Sequence, residues 1–137
     1  MVDKVRRVEY YYATVSDKPG EGLKMLSALK NAGILLLAYH AFPIGGGKAQ
    51  VDLVPEDVKK FKQTADAAGL ALTGPKRALL ITGDDRVGAA ADHAKKLADV
   101  KINITAVTAL PGGSGRYGMI VWVAPADYEK AAAALGA

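Results

Sequence analysis

The chain matches itself, and that match constrains what it can fold into more than any other feature. Thr14 and Thr82, Asp17 and Asp85, Gly20 and Gly88, Leu29 and Leu97, Ile34 and Ile102, Ala38 and Ala106, and Pro43 and Pro111 all sit 68 residues apart. Farther on the offset becomes 70, for Val51 and Val121, Pro55 and Pro125, Asp57 and Asp127, and Lys60 and Lys130. The two added residues are expected between Pro111 and Gly118, where a hairpin tip absorbs them. The 137 residues are therefore two copies of a unit of roughly 70, each small enough to be marginal alone.

Each copy reads in the same order. Residues 8–16 are rich in Tyr, Val and Thr, which suit a pleated, half-buried surface, and predict a strand. Leu23, Leu26 and Leu29, followed by Ala32, recur at helical spacing, and Gly33 stops that helix. Residues 34–42 are an apolar strand, Pro43 and Gly45-Gly46-Gly47 a turn, and Lys48 to Val54 the returning strand. Pro55 is expected in the first turn of a helix, with Glu56 and Asp57 at its positive end and Val58, Phe61, Ala65 and Ala68 as its buried stripe. Gly69 ends it, and residues 70–74 supply a short fourth strand.

The second copy repeats the grammar: strand over 78–82, helix over 88–99, strands over 102–110 and 116–124, then a helix opened by Pro125. The order β-α-β-β-α-β is the ferredoxin-like split motif. The fold class is α+β, with two such modules in tandem, residues 1–74 and 75–137, each an antiparallel sheet with helices on one face. After its last helix the second copy has no further strand, so its sheet is expected to have an unfilled edge. Val2–Arg7, the connecting strand at 70–78, or another chain is expected to fill it.

With this frame in place, the sequence resembles a tandem pair of ACT domains, small βαββαβ modules that sense amino acids or related molecules. The resemblance rests on Thr14-Val15-Ser16-Asp17-Lys18-Pro19-Gly20 followed by Leu23, then Ala32-Gly33-Ile34. In the second copy it rests on Thr82-Gly83-Asp84-Asp85-Arg86-Val87-Gly88, then Val100-Lys101-Ile102-Asn103-Ile104. It covers nearly the whole chain. It implies that the loops Asp17, Lys18, Pro19, Gly20 and Asp84, Asp85, Arg86, Val87, Gly88 hold an effector at a domain–domain interface, with Asn103 at the start of the second strand. Leu35 stands at the place of Asn103 in copy one, and Val87 replaces the loop proline in copy two.

The chemistry of these residues agrees. A turn entering a helix offers backbone N–H groups and the positive end of the helix dipole, which suit a carboxylate. Asp17 or Asp85 can meet an ammonium group, and Asn103 carries both a donor and acceptors. The plainer role for both aspartates is to cap the helices that follow, with Pro-Gly shaping the turn.

Other motifs lead less far. Gly45-Gly46-Gly47-Lys48 lacks the spacing and the following Ser/Thr of a phosphate loop. Arg116-Tyr117-Gly118-Met119 resembles the third strand of an RNA-recognition module, but the glycine after the basic residue is missing and Met119 stands at a stacking position. Tyr11 points to one sheet face, and Tyr10 with Tyr12 to the other. His40 and His93 have no carboxylate or cysteine at suggestive spacing and read as structural.

No cysteine occurs, which removes disulfides, thiol catalysis and cysteine-held zinc. No catalytic constellation appears, so the chain is expected to be non-catalytic, with no cofactor and no metal. The net charge of +4 is too mild to imply nucleic acid. The apolar run 32–42 is too short for a membrane span, and a cytoplasmic setting is expected. The expected function is regulatory binding of a small effector, an amino acid or similar zwitterion, by a homodimer that can act on a partner enzyme. The alternative is a protein–protein assembly module with a degenerate pocket; RNA binding ranks third.

Overall fold

The computed structural model describes residues 3–137. In chain order these form β1 (Lys4–Ser16), α1 (Glu21–Asn31), β2 (Leu36–Gly45), β3 (Lys48–Pro55), α2 (Val58–Ala67), β4 (Thr73–Asp84), α3 (Ala89–Asp99), β5 (Ile104–Gly113), β6 (Arg116–Val123) and α4 (Tyr128–Leu135). They divide into two compact units, Glu9–Lys76 and Met1–Val8 with Arg77–Ala137, here the first and second unit.

In the first unit the strand order is β2-β3-β1-β4, with β3 antiparallel to β1 and β2. The fourth place belongs to the opening residues of β4, up to Lys76. Tyr11, Ala13, Val51 and Leu53 face Met25, Leu29 and Phe61 of the two helices in one core. Tyr11 lies 5.3 Å from the Phe61 ring, and burying such side chains is worth about 1.5–3 kcal/mol each. Leu23, expected inside, is 64% exposed. The buried stripe of α1 runs through Met25 and Leu29, one helical turn apart, and Leu23 falls off that stripe.

In the second unit the order is β1-β4-β6-β5, with β6 antiparallel to β4 and β5. No strand follows α4, and the fourth place is taken by the opening of β1, up to Val8. Val2, part of the segment expected there, lies outside the described residues. Leu97, Tyr128, Ala131 and Leu135 close over Leu79, Ile81 and Val121, with Val5 packed against them. The Tyr128 hydroxyl donates to the Ala78 carbonyl at 3.0 Å. Arg7 and Arg77 each reach Glu129 at 2.7 Å, and the Arg77 guanidinium lies 4.1 Å above the Tyr128 ring. These contacts tie α4 to β1 and β4.

The register corrects the expected place of the length change. Gly45 pairs with Lys48 and Gly113 with Arg116, so both hairpins close over two residues and the offset of 68 persists. Tyr11 pairs with Leu53 and Leu79 with Val121, which makes Leu53, not Val51, the counterpart of Val121. The two extra residues lie after β6, where Pro125–Asp127 form a 3-10 turn into α4. Pro55 ends β3 instead of opening α2; Asp57 caps that helix by accepting from the Lys60 N–H at 3.0 Å.

The two α1-type helices end alike. Ile34 N–H reaches the Leu29 carbonyl at 3.0 Å past Gly33, and Ile102 N–H reaches Leu97 at 3.0 Å past Lys101. Gly33 has φ +72° and Lys101 φ +61°. The left-handed region disfavours a side chain that glycine lacks. Lys101→Gly is expected to raise stability by about 0.5–1 kcal/mol, read as a higher urea midpoint with an unchanged slope.

Candidate functional site

The loop between β4 and α3 is shaped by its backbone. Asp85 N–H donates to the Gly115 carbonyl at 2.8 Å, which pins the loop to the β5–β6 turn. Gly88 has φ +86° and is the N-cap of α3, and no side chain caps that helix. The first copy repeats this, with Asp17 N–H to Gly47 at 2.9 Å and Gly20 at φ +90° as an uncapped N-cap. The capping role expected of Asp17 and Asp85 is therefore lost: three residues separate each aspartate from its helix, and glycine takes the cap. Asp17 and Asp85 are both exposed.

In the second unit this geometry opens a cleft of about 260 Å³. Asp85, Arg86 and Gly88 form one wall, the first-turn alanines 89–91 a second, and residues 109–111 of β5 a third, above Tyr117. The alanines leave the N-terminus of α3 accessible to a small anion. Of the other expected residues, Val87 stands fully exposed at the loop tip, and Asp84 pairs with Arg116 at 2.7 Å. Asp17, Lys18, Pro19 and Gly20 form an exposed turn in the first unit. Asn103 is exposed and precedes β5 instead of lying inside it. It sits at the far end of that strand, roughly 23 Å from Leu110 at the usual rise per residue, so one unit does not bring loop and asparagine together.

A second cluster lies beside the loop. The Asp3 side chain is only 7% exposed. Arg86 donates to both its oxygens at 3.1 Å, Tyr117 hydroxyl donates to Oδ2 at 2.6 Å, and His93 Nε2 stands 2.8 Å from Oδ2. The phenol gives its single proton to Asp3, so His93, also 2.9 Å from the Tyr117 oxygen, holds its proton on Nε2. Among the described residues His93 Nδ1 is buried without a hydrogen-bond partner. The Arg86 guanidinium, seconded by Tyr117 and His93, holds the Asp3 carboxyl well below the usual carboxylate range despite its burial. Burial, followed by the hydrogen bond and charge of Asp3, pushes the Tyr117 phenol up to about 12. Asp3, then Asp92, raises Arg86 further above its ordinary value.

Of this cluster only Arg86 stands out in the sequence as a site residue. Asp3 and His93 are 90 positions apart, beyond any spacing argument. The available signal is Gly83, a glycine inside a strand, which marks a close approach of another group. A Cβ at Gly83 would collide with the Asp3 carboxylate.

Tyr117 and Met119 are 5% and 3% exposed and belong to the core beneath the helices, so neither can stack on a base. Among the described residues no group of three potential metal ligands occurs, and no helix is long and apolar enough to cross a membrane.

No family model matches the sequence, and no curated protein matches it. Solved structures do. Protein BT0572 from Bacteroides thetaiotaomicron superposes with a TM-score of 0.81 at 14% identity, covering 96% of this chain and 88% of that one. The ligand-free regulatory subunit of aspartate kinase from Thermus thermophilus gives 0.67 at 19% identity, covering 99% and 95%. A structure of aspartokinase alpha and beta subunits gives 0.63 at 20%, covering 98% and 95%. Identities this low speak for the fold, and the fold is the one the repeated loop-helix motifs implied: the chain is built on the ferredoxin-like ACT fold, twice over.

Proposed function

We propose that the chain is a non-catalytic regulatory protein whose second unit binds an amino acid or similar small zwitterion at the loop Asp84–Gly88. The observation that carries this reading is the cleft of about 260 Å³ at the uncapped start of α3. Its volume lies just below that of drug-sized pockets, as a small metabolite requires. The first turn of α3 receives the ligand carboxylate, and Asp85 its ammonium group. Asn103, at the far end of β5, takes part only from a second copy of the chain, so homodimerisation belongs to the proposal. Likeness to a regulatory subunit of aspartate kinase supports action on a partner enzyme.

Thermal shift against a panel of amino acids tests it. A ligand at ten times its Kd is expected to stabilise the native chain by about 1.4 kcal/mol, and Asp85→Ala to weaken that response at least tenfold. A melting temperature unmoved by every member of the panel at millimolar concentration overturns the reading. The second reading, an assembly module with a degenerate pocket, draws on the fully exposed Val87 and on Leu110, 61% exposed, beside the cleft. Self-association that survives Asp85→Ala and Asn103→Ala, together with no small-molecule response, selects it.

A further inference from the structure

Four donors converge on the Asp3 carboxylate: two N–H groups of Arg86, the Tyr117 hydroxyl and His93 Nε2. Three of the four meet Oδ2 and one meets Oδ1, which makes this a densely hydrogen-bonded carboxylate. The donors are rigid. His93 and Tyr117 are 2% and 5% exposed, and Arg86 is held by the Asp84 carbonyl at 3.2 Å and by Asp92 at 3.0 Å. A guanidinium fork meeting both oxygens of a planar anion is the geometry by which proteins recognise carboxylates. All three donors belong to β4–β6 and their connections, whereas the anion is carried by a residue at the head of β1.

The position is also reachable. A groove of about 690 Å³ opens on Asp3, Arg86 and His93 and runs between α3 and residues 133–136 at the end of α4 and just past it. Its mouth carries Lys95 and Lys96 as well as Asp92 and Asp99, with Lys95 paired to Asp99 at 2.6 Å.

We propose that Arg86, His93 and Tyr117 form a carboxylate receptor that the chain fills with its own Asp3, and that a small free carboxylate competes with the N-terminal segment for it. In the intact chain the tether gives Asp3 a high effective concentration, so the competitor needs correspondingly high concentrations. A free carboxylate seated there removes the polar anchor of the strand opening Lys4–Val8. This receptor faces the groove and does not use Asp85, although its Arg86 and Tyr117 also line the cleft at the loop.

Chemical rescue tests it. Asp3→Ala is expected to lower the melting temperature by about 5–10 °C, followed by the fluorescence of Trp122, the single tryptophan. Sodium formate at about 0.2 M is expected to restore at least half of that loss, while sodium chloride of equal ionic strength restores none. The double variant D3A/R86Q is expected to lose the difference between the salts, and so is Asp3→Asn, whose amide fills the space without the charge. Formate and chloride indistinguishable in D3A overturn the proposal, as does an equal formate effect in D3A/R86Q. If D3A is unfolded in dilute buffer, the same comparison is made on the refolded fraction against formate concentration. A failed amino-acid panel with the intact chain leaves these outcomes unchanged.

Discussion

Gly83→Ala is expected to destabilise the second unit by about 3 kcal/mol. The alanine Cβ has no room: the Asp3 carboxylate occupies its position, and Tyr117 Cε1 would stand 3.1 Å away. Tyr117 is core and cannot retreat, so the displaced group is Asp3. Its departure takes both carboxylate contacts from Arg86 and leaves the buried Tyr117 hydroxyl and His93 Nε2 with only each other, 2.9 Å apart, so one donor in the pair loses its acceptor. Urea unfolding followed by Trp122 fluorescence measures the loss. A double-mutant cycle assigns the cause. In the Asp3→Ala background the clash is gone, so Gly83→Ala is expected to cost at least 1 kcal/mol less than in the wild type. Strict additivity would show that Gly83 does not serve the seating of Asp3.

The same glycine shows where the sequence could be read and where it could not. Local features were legible: the glycine-rich turns between paired strands, the glycine that stops the first helix and the β-rich runs each carry a short-range physical cause. So the order of elements in each copy, and the loop Asp84–Gly88 as a candidate site, follow from residues near one another in the chain. Register was harder. Hydrophobic alternation has period two, so sliding Val51 against Val121 in place of Leu53 keeps every apolar residue on its face. The pairings of Tyr11 with Leu53 and of Leu79 with Val121, together with the two hairpins, decide it, and they move the two-residue insertion to the start of α4.

The unfilled edge pointed to Val2–Arg7 and to residues 70–78, but not to how far their strands run. Lys4–Arg7 and Thr73–Arg77 are charged or glycine- and proline-bearing, and propensity alone does not carry a strand across them. They become strand because each completes a four-stranded sheet, a tertiary cause. The two glycines inside β4 record it: the Tyr11 ring stands 2.8 Å from the Cβ position of Gly74, as Asp3 crowds that of Gly83. The carboxylate receptor was out of reach for the same reason, since His93 and Tyr117 look like ordinary core until residue 3 arrives. Helical spacing also misled at Leu23, because one apolar stripe does not say which of its margins faces the sheet.

Alkaline pH is expected to weaken the second unit through Tyr117. Its phenol is pushed up to about 12 when folded, from an ordinary value of 10.0. A raised folded value means that the native state holds the proton more tightly than the unfolded chain does. The associated stability is complete below about pH 10 and is lost as pH rises through about 12, to the extent of about 2–3 kcal/mol. The cause is concrete: a phenolate at this place would be buried beside the Asp3 carboxylate, 2.6 Å away. Asp3 acts in the opposite sense. Its lowered value means that its stabilisation is complete above the usual carboxylate range and is lost only as pH falls well below it. Tyr117→Phe separates the two. It removes the alkaline loss and one donor to Asp3, so the difference between wild-type and variant stability should shrink from pH 10 to pH 12. A difference that stays constant across that window would mean that Tyr117 ionises as freely in the folded chain as in the unfolded one.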